Sequence, residues 1–464
     1  MRAREIIREY SLLLLLILPF LGSSCSSDNA VVTINDYCYI RSVTLGLIKR
    51  QTATQSSTFA GSLYEITVNQ RTGIIENRDS LPFGSKLQSV IATISFDGSL
   101  LLYRDYKPER PSDDDTGWLA YVAIDSLDLT KPLQLKLFSN DSKSERTYIF
   151  KVNVHQQEGD SLCWKHCEDT NTELLASMTD MKAFALNDRL MVLGQKSGSH
   201  ILAERTEVAQ AGTWTESSVT GLPAAADLQT LCQQNGTLYL STLDGRIFSS
   251  TDALSWQQTG AAYHVPLTLV KKTDDYFYAV STTENKLLRS ADAADWTFED
   301  KLDTKADSLP DASIRALTLE QANGNTRIVM VGHKNDCAHA IVWNKMWNES
   351  EKEQDAEWIF FPYTPDNTLL CPRLANLNLL SYDGKCIAFG GASADDTHQA
   401  LDAVYVSRDY GITWRPGAEL YLPPQLKGYD GCITSAVDRN NFIWIITNAQ
   451  VWRGRLNRLG FAQQ

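Results

Sequence analysis

The 464-residue sequence has no surplus of positive charge: Lys and Arg number 43 against 56 Asp and Glu, a formal charge of −13. Such a surface repels phosphate backbones, so nucleic acid is not an expected partner. The usual signatures of catalysis are missing as well. There is no P-loop, no Rossmann glycine pattern, no HExxH and no G-x-S-x-G. The seven His are scattered, and none is spaced to activate a Ser or Cys nucleophile. Cysteine is sparse, with nine in the whole chain, which excludes a disulfide-dense scaffold. Cys163, His166 and Cys167 lie close together, but no second Cys/His pair follows at zinc-like spacing. In a strand the two Cys would share one face and His166 the other, so one ion would not collect all three. No catalytic, cofactor-binding or metal residue is therefore assigned.

Long apolar runs are also lacking, with one exception. Arg2, Arg4 and Arg8 precede the run Leu12 to Leu21, about half of the roughly 20 residues that span a bilayer. This reads as a signal peptide over 1–24. Gly22, Ser23 and Ser24 lead into Cys25, an arrangement that resembles a bacterial lipoprotein signal, although Gly stands where Leu is usual. The expectation is lipidation at Cys25, a tether over 25–30, and an exported protein held to the outer membrane of a cell envelope through its lipid.

What the sequence does have is β pattern. Residues 31–157 carry short strand-like stretches, Leu63–Val68, Val90–Phe96, Trp118–Ile124 and Leu133–Phe138, divided by turn residues. Tyr148, Phe150, Val152 and Val154 alternate with Lys151, Asn153 and His155, the period of a half-buried strand. Several such strands in about 125 residues predict an immunoglobulin-like β-sandwich.

From 158 a Trp recurs, at 164, 214, 256, 296, 358 and 414, spaced by 40 to 62 residues. That period, with room for four short strands each, predicts a β-propeller over 158–464. Six blades can be counted: 175–218, 226–260, 264–300, 312–362, 372–420 and 431–464. The last supplies three strands, and its fourth comes either from Leu162–His166 or from Leu459–Ala462. The fold class is thus all-β, a sandwich followed by a six-bladed propeller.

A local repeat reinforces this. Ser250-Thr-Asp252-Ala-Leu-Ser-Trp256 recurs as Ser290-Ala-Asp292-Ala-Ala-Asp-Trp296, and more fully as Ser407-Arg-Asp409-Tyr-Gly411-Ile-Thr413-Trp414. The fullest copy resembles the Asp-box of sialidase-type and sortilin-type propellers. Its chemistry is structural: the Asp accepts backbone N–H groups in a tight turn, Gly supplies a positive φ, and the Trp packs between sheets. The copies at 250 and 290 lack the Gly and are one residue shorter, so their turns are expected to differ.

The order of features, with Asn77-Arg-Asp79-Ser-Leu-Pro82 in the first module, Arg146-Thr-Tyr148 closing it and Arg455-Leu-Asn-Arg-Leu-Gly-Phe461 at the end, resembles the DUF6242 family of Bacteroidota lipoproteins. The resemblance implies the architecture and the lineage. It implies no activity and no site residues.

A sialidase would need an arginine triad, usually announced by Phe/Tyr-Arg-Ile-Pro; the nearest echo is Ser313-Ile-Arg315-Ala in the fourth blade. His333, after Gly332 at a strand end, has two readings, a group lining the funnel and a satisfied structural residue, and the second is the commoner for a lone His. Two functions remain. The first is a non-enzymatic binding or scaffold module for a glycan or envelope protein, needing no cofactor. The second is a carbohydrate-active enzyme with a carboxylate pair in the funnel.

Overall fold

The computed structural model describes residues 36–461 except 54, 105–116, 207–210, 264, 274, 304–307, 322–323, 348–355, 363 and 394–397. The expected signal peptide, Cys25 and the tether lie outside the described residues, as does the Pro108–Asp115 stretch. The chain divides into two compact units after Gln156.

In the first unit a six-stranded sheet and a three-stranded sheet share one core. Leu133, Leu135 and Leu137 point inward, while Gln134 and Lys136 alternate outward. Ile40, Val43, Leu45, Val90, Ala92 and Ile94 face them from the smaller sheet. Tyr148 is buried between the two, and its hydroxyl takes the N–H of Ile40 at 3.2 Å and donates to Gln70 Oε1 at 2.8 Å. A buried phenol needs such partners, and here they also tie one sheet to the other. This is the expected sandwich.

Two strand limits differ from the sequence reading. Gly61–Leu63 forms a 3-10 turn, and the strand begins only at Ile66. A Cβ on Gly61 would lie 2.6 Å from the Leu45 side chain and 2.7 Å from Gly46 O, so the chain turns where no side chain fits. Trp118–Ala120 is the extent of the next strand, and Ile124 is exposed rather than paired.

The second unit is six four-stranded sheets. Blades 1 to 5 use consecutive strands within 180–218, 232–259, 268–298, 312–361 and 378–416. Blade 6 takes Ile433–Val437, Ile443–Thr447 and Val451–Leu456, and Leu162–Cys167 adds to Val451–Leu456 as its outermost, antiparallel strand. The alternative closing strand at 459–462 does not form; Asn457–Gly460 is a 3-10 turn. Pairing the two ends of the propeller removes the edge that a three-stranded blade would leave open.

Apolar cores lie between blades, and the six Trp follow one rule. Each sits on, or immediately before, the outermost strand of its blade and packs against the preceding blade. Trp214 joins the core shared with blade 6, Trp256 that with blade 1, and Trp296 that with blade 2. Trp358, Trp414 and Trp164 do the same against blades 3, 4 and 5. Burying an indole at every joint stabilises the ring by apolar transfer and fixes the stagger between blades.

Candidate functional site

Three Ser-x-Asp turns precede outer strands. In the fullest, Ser407 Oγ donates to Asp409 Oδ1 at 2.8 Å, and Asp409 accepts the Thr413 N–H and hydroxyl at 2.9 and 2.7 Å. Gly411 N–H donates to Ser407 Oγ, and Trp414 Nε1 donates to Gly411 O. In the shorter turns Asp252 accepts the N–H groups of Leu254 and Ser255, and Asp292 those of Ala294 and Asp295. There a single Ala, Ala253 or Ala293, takes the positive φ, whereas the longer turn uses Tyr410 and Gly411 in succession. Backbone N–H donors hold both Asp252 and Asp292 below the usual carboxylate range. In each the Oδ1 atom is engaged by the turn, and the turns stand beside the outer strands, away from the axis.

The Cys/His cluster is dispersed. Cys163 is exposed, Cys167 is buried, and the His166 ring rests on Trp452 at 5.0 Å between centroids. Among the described residues no group of His, Cys, Asp and Glu is placed to hold a metal.

Convergent polar chemistry lies instead at the axis, which the first strand of every blade lines. The axial position is set by contacts between neighbouring first strands. Ala183 N donates to Thr434 Oγ1 at 2.7 Å, Ser435 Oγ to Asn378 Oδ1 at 2.7 Å, and Arg315 Nε to Leu377 O at 3.2 Å. At the end where the chain enters these strands, Asp180 opens blade 1 and Lys182 follows two residues later. A period of two puts them on one side of the strand. Gln229, in the one-turn 3-10 helix before blade 2, donates through Nε2 to Asp180 Oδ1 at 2.9 Å. Its backbone N–H donates to Asp227 Oδ1 at 3.1 Å. One glutamine therefore holds two carboxylates.

Opposite charges meet them. Arg315, from blade 4, uses Nε and Nη1 on backbone carbonyls and leaves its remaining donors to the mouth. Among the described residues Lys182 has no ion-pair or hydrogen-bond partner, and its nearest opposite charges are Asp227 and Asp180. Lys182 and Arg315 retain some contact with water, yet the ring surrounds them with protein. Desolvation, reinforced by the Arg315 charge, brings the Lys182 ammonium down to about 8 against the pull of Asp227 and Asp180. Desolvation first, and then the Asp180 charge, pushes Asp227 up from the ordinary carboxylate range.

His333 does come to this neighbourhood, at the end of the second strand of blade 4. Burial, then the charges of Arg373 and Arg315, lower it to about 4, so it is neutral at pH 7. His333 Nε2 and Asp311 Oδ1 are both buried with no hydrogen-bond partner in the protein.

The sequence reading passed over Asp180, Lys182 and Asp227, and noted Arg315 only as an echo. The usable signal was a charge inside an apolar first strand: Lys182 stands between the buried Met181 and Ala183.

A separate cleft of about 570 Å³ lies between blades 1 and 6, at the hairpins where those first strands end. Its charges are already matched, Arg189 with Glu204 at 3.1 Å and Arg439 with Asp188 at 2.5 Å. Trp444 Nε1 is likewise bound to Asp438 Oδ2. A ligand there would have to displace existing pairs. The axial mouth requires no such exchange, and it is the candidate site.

Among solved structures the chain is similar to an auxiliary nutrient binding protein from Bacteroides ovatus, at 12% identity and a TM-score of 0.42, covering 80% of this chain and 94% of that one. It is also similar to an α-L-arabinofuranosidase from Fusarium graminearum, at 12% identity and a TM-score of 0.37, covering 61% and 94%. A family AA12 carbohydrate-active enzyme from Trichoderma reesei gives 9% identity and a TM-score of 0.40, covering 64% and 96%. At these values the likenesses carry no inference about activity. No curated protein matches the chain. Two family models do: a DUF6242 N-terminal domain of unknown function over residues 43–152, and the DUF6242 beta propeller domain over 158–464. Sandwich, six-bladed ring and family models agree, and the chain belongs to the DUF6242 family.

Proposed function

We propose that this protein is a non-enzymatic binding module of the cell envelope, lipid-anchored through Cys25, whose propeller holds a glycan, free or borne on an envelope protein, at its axial mouth. The observation that carries the reading is the set of unspent polar groups there. Lys182 lacks a hydrogen-bond or ion-pair partner among the described residues, and Arg315 keeps free donors, beside the acceptors Asp180 and Asp227. Rings of this kind present such groups on a rigid frame, which limits the entropy lost on binding. Binding of the purified full-length protein to an immobilised glycan panel tests it. Retention of one glycan class, reduced by Lys182→Met, supports the reading, and an empty panel sinks it. The anchor is tested separately: Cys25→Ala should leave the membrane fraction, and its persistence there would refute lipidation.

A second reading is a glycoside hydrolase using Asp227 as acid and Asp180 as base. It is favoured by the two carboxylates shared by Gln229, with Asp227 drawn toward its neutral form and so suited to donate a proton. Turnover on the same panel, abolished by Asp227→Asn, would replace the binding-only reading.

A further inference from the structure

The axial mouth combines features that each narrow its ligand, given the binding reading above. Lys182 has no ion-pair partner among the described residues, and Arg315 spends only Nε and Nη1 on carbonyls. A desolvated, unpaired ammonium is costly to keep, and an incoming anion relieves that cost. Asp180 and Asp227 stand in the same mouth, joined through Gln229. They would repel a bare multivalent anion, and they need donors.

A ligand meeting both demands carries one negative charge and several hydroxyl groups. Inorganic phosphate supplies too much charge and too few donors. A free amino acid supplies a carboxylate and an ammonium, but Asp227 is raised toward its neutral form, which weakens its hold on a cation. A sugar acid supplies a monoanionic carboxylate with hydroxyls at fixed spacing around it.

We infer that the axial mouth binds an acidic saccharide, its carboxylate placed between Lys182 and Arg315 and its hydroxyls donating to Asp180 and Asp227. Recognition is then a matter of charge as well as shape. The neutral counterpart of the same sugar leaves Lys182 and Arg315 unpaired, and it binds more weakly by at least tenfold.

Isothermal titration of the purified full-length protein with galacturonate, neutral galactose, inorganic phosphate and glycine tests this. The expected result is saturable binding of galacturonate, at least tenfold tighter than galactose, and at least tenfold weaker in Lys182→Met and in Arg315→Met. Arg439→Ala, in the cleft between blades 1 and 6, should bind as the parent does. The parent protein supplies a check independent of any variant's folding. Its affinity for galacturonate should fall several-fold between pH 7 and 9.5, as Lys182 loses its proton, while weak galactose binding stays level. Equal affinity for the charged and neutral sugars, or tighter binding of phosphate or glycine, would overturn the acidic-ligand inference and leave the binding module intact. Failure of all these saccharides, together with an empty glycan panel, would remove the binding module itself.

Discussion

Arg205 and Asp169 form a buried, two-pronged ion pair: Nε meets Oδ2 at 2.8 Å, Nη2 meets Oδ1 at 2.7 Å, and the side chains are 1% and 0% exposed. Asp169 follows the strand that closes blade 6, whereas Arg205 belongs to blade 1 and lies 4.8 Å above the Trp444 ring of blade 6. Gly212 N–H and Trp214 Nε1 complete the carboxylate's shell. The pair thus sits at the joint where the ring closes.

Removing one partner leaves a buried charge without compensation. Asp169→Asn should therefore destabilise the protein by about 3–5 kcal/mol, while Asp169→Leu combined with Arg205→Met recovers much of that loss. Urea unfolding of the three proteins decides it. Equal stability of parent and single variant would show that the pair contributes nothing at the joint.

Ring closure also depends on a glycine. A Cβ on Gly454 would lie 2.6 Å from the Trp164 ring, which covers that strand from its antiparallel neighbour. Gly454→Val should lower stability by about 1–3 kcal/mol through overpacking. Thermal melting and limited proteolysis would both register it, with cleavage rising near residues 158–168. An unchanged melt would mean that Trp164 swings clear at little cost.

The turn at Ser407–Trp414 makes a prediction that separates stability from binding. Asp409→Ala removes the acceptor for Ser407 Oγ and for two groups of Thr413, at a cost of about 1–3 kcal/mol. Saccharide affinity should not change, because the turn lies beside an outer strand. Lost affinity at temperatures where the variant is fully folded would place the turn in the binding site after all.

Lys182 makes stability depend on pH. Its folded value of about 8 lies below the ordinary lysine value of 10.5, so between those pH values the unfolded chain binds more protons and stability rises with pH. At pH 7 both states are protonated and the full penalty is present, of order 3 kcal/mol. Lys182→Met should be more stable than the parent at pH 7, with the difference shrinking to nothing by about pH 10.5. Parallel stability curves for the two proteins would show that the ammonium is well solvated.

Much of the ring was legible from the chain alone. Trp at 214, 256, 296, 358 and 414 marked outer strands because each recurs at the same place in its repeat, where an indole packs against the preceding blade. Leu133–Phe138 was read to the residue because its alternation is unbroken. Leu63 and Ile124 misled, since an apolar side chain in a turn looks like the edge of a strand. The axial residues were not legible. Asp180 and Asp227 are 47 positions apart and Arg315 lies a further 88 along, and no spacing rule links the first strands of different blades.

By itself the sequence determined an all-β chain of two modules, its acidic balance and its blade count. These follow from local periodicity and from one bulky residue per repeat, which are properties of neighbouring positions. Tertiary structure alone decided which strand closes the ring and which charges meet on the axis. Leu162–Cys167 and Asn457–Gly460 flank the same edge, and only backbone pairing with Val451–Leu456 chooses between them. Lys182 acquires its lowered proton affinity because the closed ring strips water from it and brings Arg315 beside it. Both effects arise from closure, and neither is present in any segment of the chain read alone.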